Sequence, residues 1–285
     1  MSITDVKKQD LDALIVAKHT DHMFKQADIS HYMGEIISEA IREKHFYMVY
    51  QPQFDLGTGK LLGFEALVRC QSPEFGLVSP ADFIPFAEAN GDIVEIGRWI
   101  FRQALLDLKH LRQQGLDDIY MSVNLSPAQF VAGDVFEQVM VLLMELDIPA
   151  SALKLELTET ALIRNADVAA RTFRAFQDEG VQIWLDDFGT GFASINLLRE
   201  FKIDGLKIDK SFVDGIHRKD DDFTICSAII AMAQRLGLHI VAEGIEDEIQ
   251  MQILGQLGCD SAQGFLLAKP QPIAECIANW TPKRN

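Results

Sequence analysis

From Phe46 onward the chain alternates between short apolar, β-branched runs and longer stretches whose apolar residues recur at helical spacing. The runs are Phe46–Phe54, Leu61–Val68, Ile119–Leu125, Leu153–Leu157, Val181–Leu185, Leu206–Ile208, His239–Ala242 and Ser261–Phe265. Amphipathic stretches such as Ile93–Leu111, Val135–Leu146, Val168–Glu179 and Phe223–Leu236 separate the later runs. Repeated strand–helix units predict a parallel sheet. The first two runs are joined by a short link containing Gly57-Thr58-Gly59 and are expected to pair as an antiparallel hairpin. Eight runs in this order predict an α/β fold, a (β/α)8 TIM-like barrel with an antiparallel first strand.

Residues 1–45 follow a different pattern and are read as a helical N-terminal segment or linker, with the barrel over 46–285. Ile36, Ile37, Ala40 and Ile41 share helical spacing, and Asp28 or Ser30 is placed to cap that helix. His19, His22, His31 and His45 fall here without carboxylates or cysteines at ligand spacing, so they read as solvated side chains rather than a metal site.

Charge and cysteine usage narrow the chemistry. A formal net charge of −16 argues against an electrostatic grip on DNA or on an anionic membrane. A phosphate ester would then need divalent cations between two acidic partners. Cys70, Cys226, Cys259 and Cys276 are scattered without a CxxC pair, as in a reduced cytoplasmic protein. No signal peptide is read at the start, and the longest uncharged stretch, Ile119–Gly133, is too short and polar to span a bilayer.

The strand ends carry the informative residues. The runs finish in Asn124, in Glu156 followed by Glu159, in Asp186-Asp187, in Lys207 and Asp209, in Glu243 and in Gln263, while Glu65 lies inside the second run. In a barrel these positions converge on the carboxyl face, where such folds place their chemistry. Taken singly, an Asp there caps a helix or opens a turn, and a Glu is solvated. Glu65, however, sits among Phe64, Ala66 and Leu67, and Glu156 lies between Leu155 and Leu157. Burying a lone carboxylate costs several kcal/mol unless it is paired or bound to metal. Gathered carboxylates therefore predict cations. Oxygen ligands without His or Cys favour Mg²⁺ or Mn²⁺, and the surplus of carboxylates suits two ions. Lys207 interrupts an apolar strand and is placed to hold a nucleophilic water or offset developing negative charge. Asp187-Phe188-Gly189 lacks a kinase catalytic loop, Gly189-Thr190-Gly191 lacks the third glycine of a dinucleotide fingerprint, and Asp220-Asp221-Asp222 reads as capping and dipole compensation.

Glu65-Ala66-Leu67, within Gly63-Phe64-Glu65-Ala66-Leu67-Val68-Arg69, resembles the signature that names the EAL domain family. It is accompanied in order by Tyr50-Gln51-Pro52, Ser122-Val123-Asn124-Leu125-Ser126, Leu155-Glu156-Leu157-Thr158-Glu159 and Asp186-Asp187-Phe188-Gly189-Thr190-Gly191. Leu206-Lys207-Ile208-Asp209, Val241-Ala242-Glu243-Gly244-Ile245-Glu246 and Gln263-Gly264-Phe265 complete a resemblance running from about Phe46 to Trp280. It implies a barrel-shaped phosphodiesterase that hydrolyses the bacterial messenger cyclic di-GMP to linear pGpG. By the same resemblance Glu65, Asn124, Glu156 and Asp186 hold one metal, and Asp186 and Asp187 serve a second, with Glu243 acting through water. Glu243 and Lys207 orient or deprotonate the attacking water, Asp187 joins them as catalytic, and Gln263 supports the site. Gln51, Leu67 and Arg69 are the substrate-contacting positions, with Asp209 and Gln263 counted beside them. Glu159 anchors the loop after Asp187, tying metal binding to dimerisation, and Glu246 matches an outer position. The resemblance further implies inhibition by Ca²⁺, a homodimer through 187–195, and an upstream sensory domain outside this chain. Departures are Cys70, where the family often has tryptophan, and Phe192-Ala193, where an aromatic–serine pair is usual.

Two other readings use the same residues. A catalytically silent receptor would bind cyclic di-GMP and signal through a partner, but such members typically lose metal ligands, all of which are in place here. An enolase-type barrel would also gather Mg²⁺ carboxylates and a lysine base, yet the reversed first strand and the ordered motifs speak against it.

Overall fold

The protein is described by a computed structural model that covers residues 25–159, 166–190 and 198–281, with side chains from Tyr32 onward. His19, His22, the His31 side chain and Phe192-Ala193 lie outside the described residues.

Contacts divide the chain into two compact units, one of residues up to Met48 with Val68–Ile100, the other of Val49–Leu67 with Phe101 onward. In the first unit, helix α1 (Lys25–Glu43) buries Met33, Ile36, Ile37 and Ala40 along one stripe and packs on α2 (Pro80–Asn90). Phe46 lies against Phe83 and Trp99, with ring centroids 5.5 and 6.2 Å apart. Asp28 and Ser30 lie inside α1 rather than at its cap, because helical backbone already begins at Lys25. The second unit holds most of the barrel.

The strands are β1 (Phe46–Asp55), β2 (Leu61–Ser72), β3 (Gly76–Val78), β4 (Tyr120–Asn124), β5 (Leu153–Thr158), β6 (Gln182–Phe188), β7 (Gly205–Ile208), β8 (His239–Ala242) and β9 (Ser261–Ala262). Parallel pairing runs β2–β4–β5–β6–β7–β8–β9. β1 pairs antiparallel with β9, and its pairing with β2 closes the ring. Eight strands thus form the expected barrel with a reversed first strand. The hairpin tip is fixed by Asp55, whose Oδ1 accepts from the Thr58 amide and hydroxyl, while Gly59 takes φ +68. β3 is an addition that hydrophobic patterning did not reveal, pairing with Cys70–Ser72 of β2. β9 ends earlier than the apolar run to Phe265 predicts. Gly264 there lies so close to the Ile245 backbone that an added Cβ would sit 2.1 Å from its carbonyl oxygen.

The connecting helices are α3 (Ile93–Gln113), α4 (Pro127–Ala132), α5 (Val135–Leu146), α6 (Ala166–Asp178), α7 (Lys210–Val213), α8 (Asp220–Leu236), α9 (Glu248–Leu257) and α10 (Ile273–Trp280). Ser126 with Gln129 and Asp247 with Gln250 form reciprocal capping boxes that start α4 and α9. Lys219 occupies the N-cap of α8, so Asp220, Asp221 and Asp222 stabilise its first turn through the helix dipole and not as caps. Cys70, Cys226, Cys259 and Cys276 are all free and buried, and burial raises the Cys70 thiol to about 11 and the Cys226 thiol to about 12. Among the described residues no helix is long and apolar enough to cross a membrane.

Two glycines make room for aromatic rings on neighbouring strands. A Cβ on Gly63 would lie 2.4 Å from Tyr120 Cδ2 and 2.5 Å from the Tyr120 carbonyl oxygen, and one on Gly205 would lie 2.7 Å from the Trp184 ring. Since a backbone atom blocks the first site, Gly63→Ala is expected to cost about 1–3 kcal/mol, the usual scale of overpacking. The urea midpoint reports this, and an unchanged midpoint would mean that β4 yields freely.

Candidate active site

Lys207 is the hub. It lies on β7 between Leu206 and Ile208, buried at 1% exposure. Its Nζ stands 2.7 Å from Glu243 Oε1, 2.8 Å from Glu156 Oε2, 3.1 Å from Asp186 Oδ1 and 3.4 Å from Glu65 Oε2. These carboxylates come from β2, β5, β6 and the residue after β8, so convergence depends on barrel closure. Asn124, at the end of β4, donates from Nδ2 to Glu65 Oε1 at 3.0 Å. Gln263 donates from Nε2 to Glu65 Oε2 at 2.7 Å and Glu243 Oε1 at 2.9 Å.

Asp186 and Asp187 are consecutive and would normally point to opposite faces of a strand. The β6–β7 register shifts between Leu185 and Phe188, and Asp187 takes φ +53, a left-handed conformation that Asp tolerates better than most residues. The result places carboxylate oxygens of Asp186, Asp187 and Glu243 within 4.8 Å of one another, beside a second set from Glu65, Glu156 and Asp186. Asp186 belongs to both sets. Either set offers the hard oxygen donors that a Mg²⁺- or Mn²⁺-sized cation requires.

One ammonium does not neutralise five carboxylates, and the titration behaviour follows. Burial, despite Lys207 and reinforced by Glu65 and Asp186, raises Glu156 to about 8. Burial with Asp186 and Asp209 nearby raises Asp187 to about 6. Glu243 is held well above the ordinary carboxylate range, chiefly by burial and then by Asp186 and Glu65, against the pull of Lys207. Burial also works against the Glu65 carboxylate, but Lys207 and the amides of Gln263 and Asn124 keep it below its usual value. Lys207 itself stays charged, because Asp186, Glu156, Glu243 and Glu65 outweigh its burial.

These directions predict a pH dependence of stability without metal. Glu156 and Asp187 hold protons in the folded state that the unfolded chain has already released between their ordinary values of 4.5 and 3.8 and their raised values of about 8 and about 6. The folded state therefore binds more protons across that window, and stability falls as pH rises through it. The lowered Glu65 acts only below the window and the raised Lys207 only above it, while Lys154, lowered by burial to about 7, opposes the fall from about pH 7 upward. In chelator, the urea midpoint is expected to drop between about pH 5 and pH 7, and Mg²⁺ or Mn²⁺ to remove the drop. A midpoint rising with pH in chelator would contradict the crowding.

The remaining expected positions make contacts of their own. Gln51 Nε2 donates to the Ala268 carbonyl at 3.3 Å, and Leu67 is half-buried on β2. Arg69 donates from Nη1 to the Val68 carbonyl at 2.8 Å within its own unit. Asp209 Oδ1 accepts from the Ser211 amide at 3.0 Å, capping α7. Glu159 Oε1 accepts from the Gly189 amide at 2.9 Å, tethering the turn after Asp187. Glu246 pairs with Lys210, whose side chain crosses Gly244.

Sequence patterning missed the layer below. Lys154 on β5 is buried with its Nζ 3.4 Å from the Tyr120 ring centroid and 3.9 Å from that of Trp184. Burial lowers its pKa to about 7, while Glu156 and Asp204 oppose that shift. Gln53 bonds both Tyr120 and Gln263. The available signal was period two: Gln53 follows Gln51, and Lys154 precedes Glu156, on one face of each strand.

Comparison with known proteins bears on the family and the fold. The EAL domain pattern spans residues 35–270. The Pseudomonas aeruginosa protein named bifunctional diguanylate cyclase/cyclic di-GMP phosphodiesterase MucR is 37% identical over 243 residues, 85% of this chain and 36% of the relative. Cyclic di-GMP phosphodiesterase PdeR of Escherichia coli K12 is 37% identical over 244 residues, 86% of this chain and 36% of the relative. The chain therefore spans little more than a third of these relatives' length. The solved PaMucR phosphodiesterase in complex with c-di-GMP aligns with a TM-score of 0.81 at 36% identity, covering 86% of this chain and 99% of that one. The EAL enzyme Bd1971, in its cAMP- and cyclic-di-GMP-bound form, aligns at TM-score 0.85 and 32% identity over 96% of this chain and 73% of that one. With its closed barrel, its strand-end carboxylates and a family pattern covering most of its length, the chain belongs to the EAL domain family.

Proposed function

We propose that the chain hydrolyses one phosphodiester bond of cyclic di-GMP to give linear pGpG, with Mg²⁺ or Mn²⁺ held by its carboxylates. The observation that carries this reading is the set of carboxylates around buried Lys207, including two overlapping triads that share Asp186. Similarity to relatives named as cyclic di-GMP phosphodiesterases supports the substrate class.

The donor set fits divalent cations, because the negative charge around Lys207 exceeds one ammonium and burial leaves Glu156 and Glu243 reluctant to ionise. Glu65, Asn124, Glu156 and Asp186 would hold one ion, and Asp186 and Asp187 would serve a second, with Glu243 nearby. Such ions, when bound, supply Lewis acidity to the phosphoryl oxygens. The chain's own groups do the rest. Lys207 fixes the relative positions of four carboxylates and stays cationic where negative charge develops. Glu243, whose ionised form bound cations would favour, accepts a proton from the attacking water as the water oxygen bonds to phosphorus. The phosphorus–O3′ bond breaks, and the departing oxygen is protonated from solvent. Gln51, Leu67, Arg69, Asp209 and Gln263 are the proposed substrate contacts, Arg69 by its affinity for phosphate. Glu159 and Glu246 brace the surrounding loops.

Residues 1–45 serve as a linker to an upstream sensory domain, with 46–285 as the cytoplasmic catalytic barrel. A homodimer forms through 187–195, most of which lies outside the described residues. Ca²⁺ supports less turnover than Mg²⁺ and competes with it, since its longer bonds and looser coordination do not suit closely spaced sites; full activity in Ca²⁺ alone would contradict this.

The test is chromatographic. Purified protein incubated with cyclic di-GMP and Mg²⁺ or Mn²⁺ should yield pGpG, and EDTA should stop it. Binding of intact cyclic di-GMP without turnover under both metals would replace the enzyme with a silent receptor.

A further inference from the structure

From the start of β4 up to the carboxylate cluster, three side chains form a hydrogen-bonded column with only one workable polarity. The two oxygens that Gln263 Nε2 faces, Glu65 Oε2 and Glu243 Oε1, also face the Lys207 ammonium at 3.4 and 2.7 Å, so each accepts rather than donates. The Gln263 carbonyl must therefore face away from them. Gln53 meets it with Nε2, 2.7 Å from Gln263 Oε1. The Gln53 carbonyl then points to Tyr120, whose hydroxyl donates to it at 2.7 Å. Gln53 and Gln263 are both buried, so a flipped amide would set carbonyl against carboxylate without water to compensate.

Tyr120 is itself held in place. Its ring occupies space that exists because Gly63 lacks a Cβ. Lys154 Nζ lies over the ring, and the Trp184 ring also contacts it. Burial and nearby Glu156 raise the Tyr120 hydroxyl pKa, so it remains a donor at neutral pH.

We propose that Gln53 and Tyr120 are positioning residues for hydrolysis. They form a one-way relay, from Tyr120 through Gln53 to Gln263, that keeps the Gln263 amide donors on Glu65 and Glu243 and so fixes both carboxylates. The inference rests on the hydrolase reading but extends it to two residues outside the carboxylate cluster. Neither touches substrate in this scheme. Each acts by dictating which way the next amide faces, and misoriented catalytic groups are costly even without gross displacement.

Gln53→Met keeps the volume and removes both donor and acceptor. Its kcat is expected to fall about tenfold with KM within about twofold, the signature of an interaction needed in the transition state rather than for binding. The side-chain amide of Gln263, assigned by the loss of its ¹H–¹⁵N signals in Gln263→Glu, should split into two sets or broaden. Tyr120→Phe frees Gln53 to turn and should lower kcat less, by about threefold. Because the relay is linear, the double variant should be no slower than Gln53→Met alone, whereas independent structural effects would multiply. Gln53→Lys restores a donor toward Gln263 and should recover most of kcat. A single Gln263 amide set with wild-type kcat in Gln53→Met, or multiplicative losses in the double variant, would overturn the relay. If the wild-type protein turns over no cyclic di-GMP with either metal, the hydrolase reading fails, and the Gln263 amide signals alone then support or overturn the relay.

Discussion

An Asp186→Ala protein is expected to hydrolyse cyclic di-GMP on the order of 10⁴-fold more slowly than wild type, the scale seen when an essential active-site group is removed. Asp186 is the one residue common to both carboxylate sets among the described residues. Its loss strips an oxygen donor from each proposed cation position at once and leaves Lys207 with one fewer partner. Glu65→Ala should be nearly as damaging, because Glu65 also receives Asn124 and Gln263. Glu243→Gln should retain cyclic di-GMP binding while slowing hydrolysis by about 10²–10⁴, the usual cost of losing a general base. Initial rates of pGpG formation with calorimetric binding separate these cases. Wild-type turnover in Asp186→Ala would remove the carboxylate cluster from the mechanism.

Lys207→Met is expected to have the second large effect, on turnover and on the metal-free fold together. Four carboxylates lie within 3.4 Å of the Lys207 ammonium. Removing one partner of a buried ionic cluster typically costs about 3–5 kcal/mol, because the charges left behind are neither solvated nor paired. In chelator the variant should therefore unfold at much lower urea, with the deficit greatest at alkaline pH, where protonation cannot relieve the repulsion. Mn²⁺ should restore much of the stability by replacing the missing positive charge, without restoring the lysine's role toward the reacting phosphate. A variant as stable as wild type in chelator at about pH 8 would show that the carboxylates accommodate one another without Lys207.

Much of the site was legible before the fold was known. Glu65 and Glu156 stand out because each interrupts an apolar run, and a carboxylate in that setting demands a cation. Lys207 stands out for the same reason, and its burial answers the expectation. The hairpin at Gly57–Gly59 and the reversed first strand follow from link length and turn residues. The short β3, the early end of β9 and the extent of α1 past Asp28 and Ser30 did not show in the pattern, since backbone pairing and neighbouring contacts set them.

The chain by itself therefore determined which residues could be buried, which strand ends carried charge, and the order of strands and helices, because period and polarity are local properties. Only the tertiary structure decided that Asp186 and Asp187 face one mouth, through a register shift and a left-handed residue that a regular strand would not contain. It alone joined Gln53 to Tyr120 and Gln263, partners 67 and 210 positions away in sequence. Such pairings depend on closing the ring and on the space left by Gly63, and hydrogen-bond polarity across that distance leaves no periodic trace in the sequence.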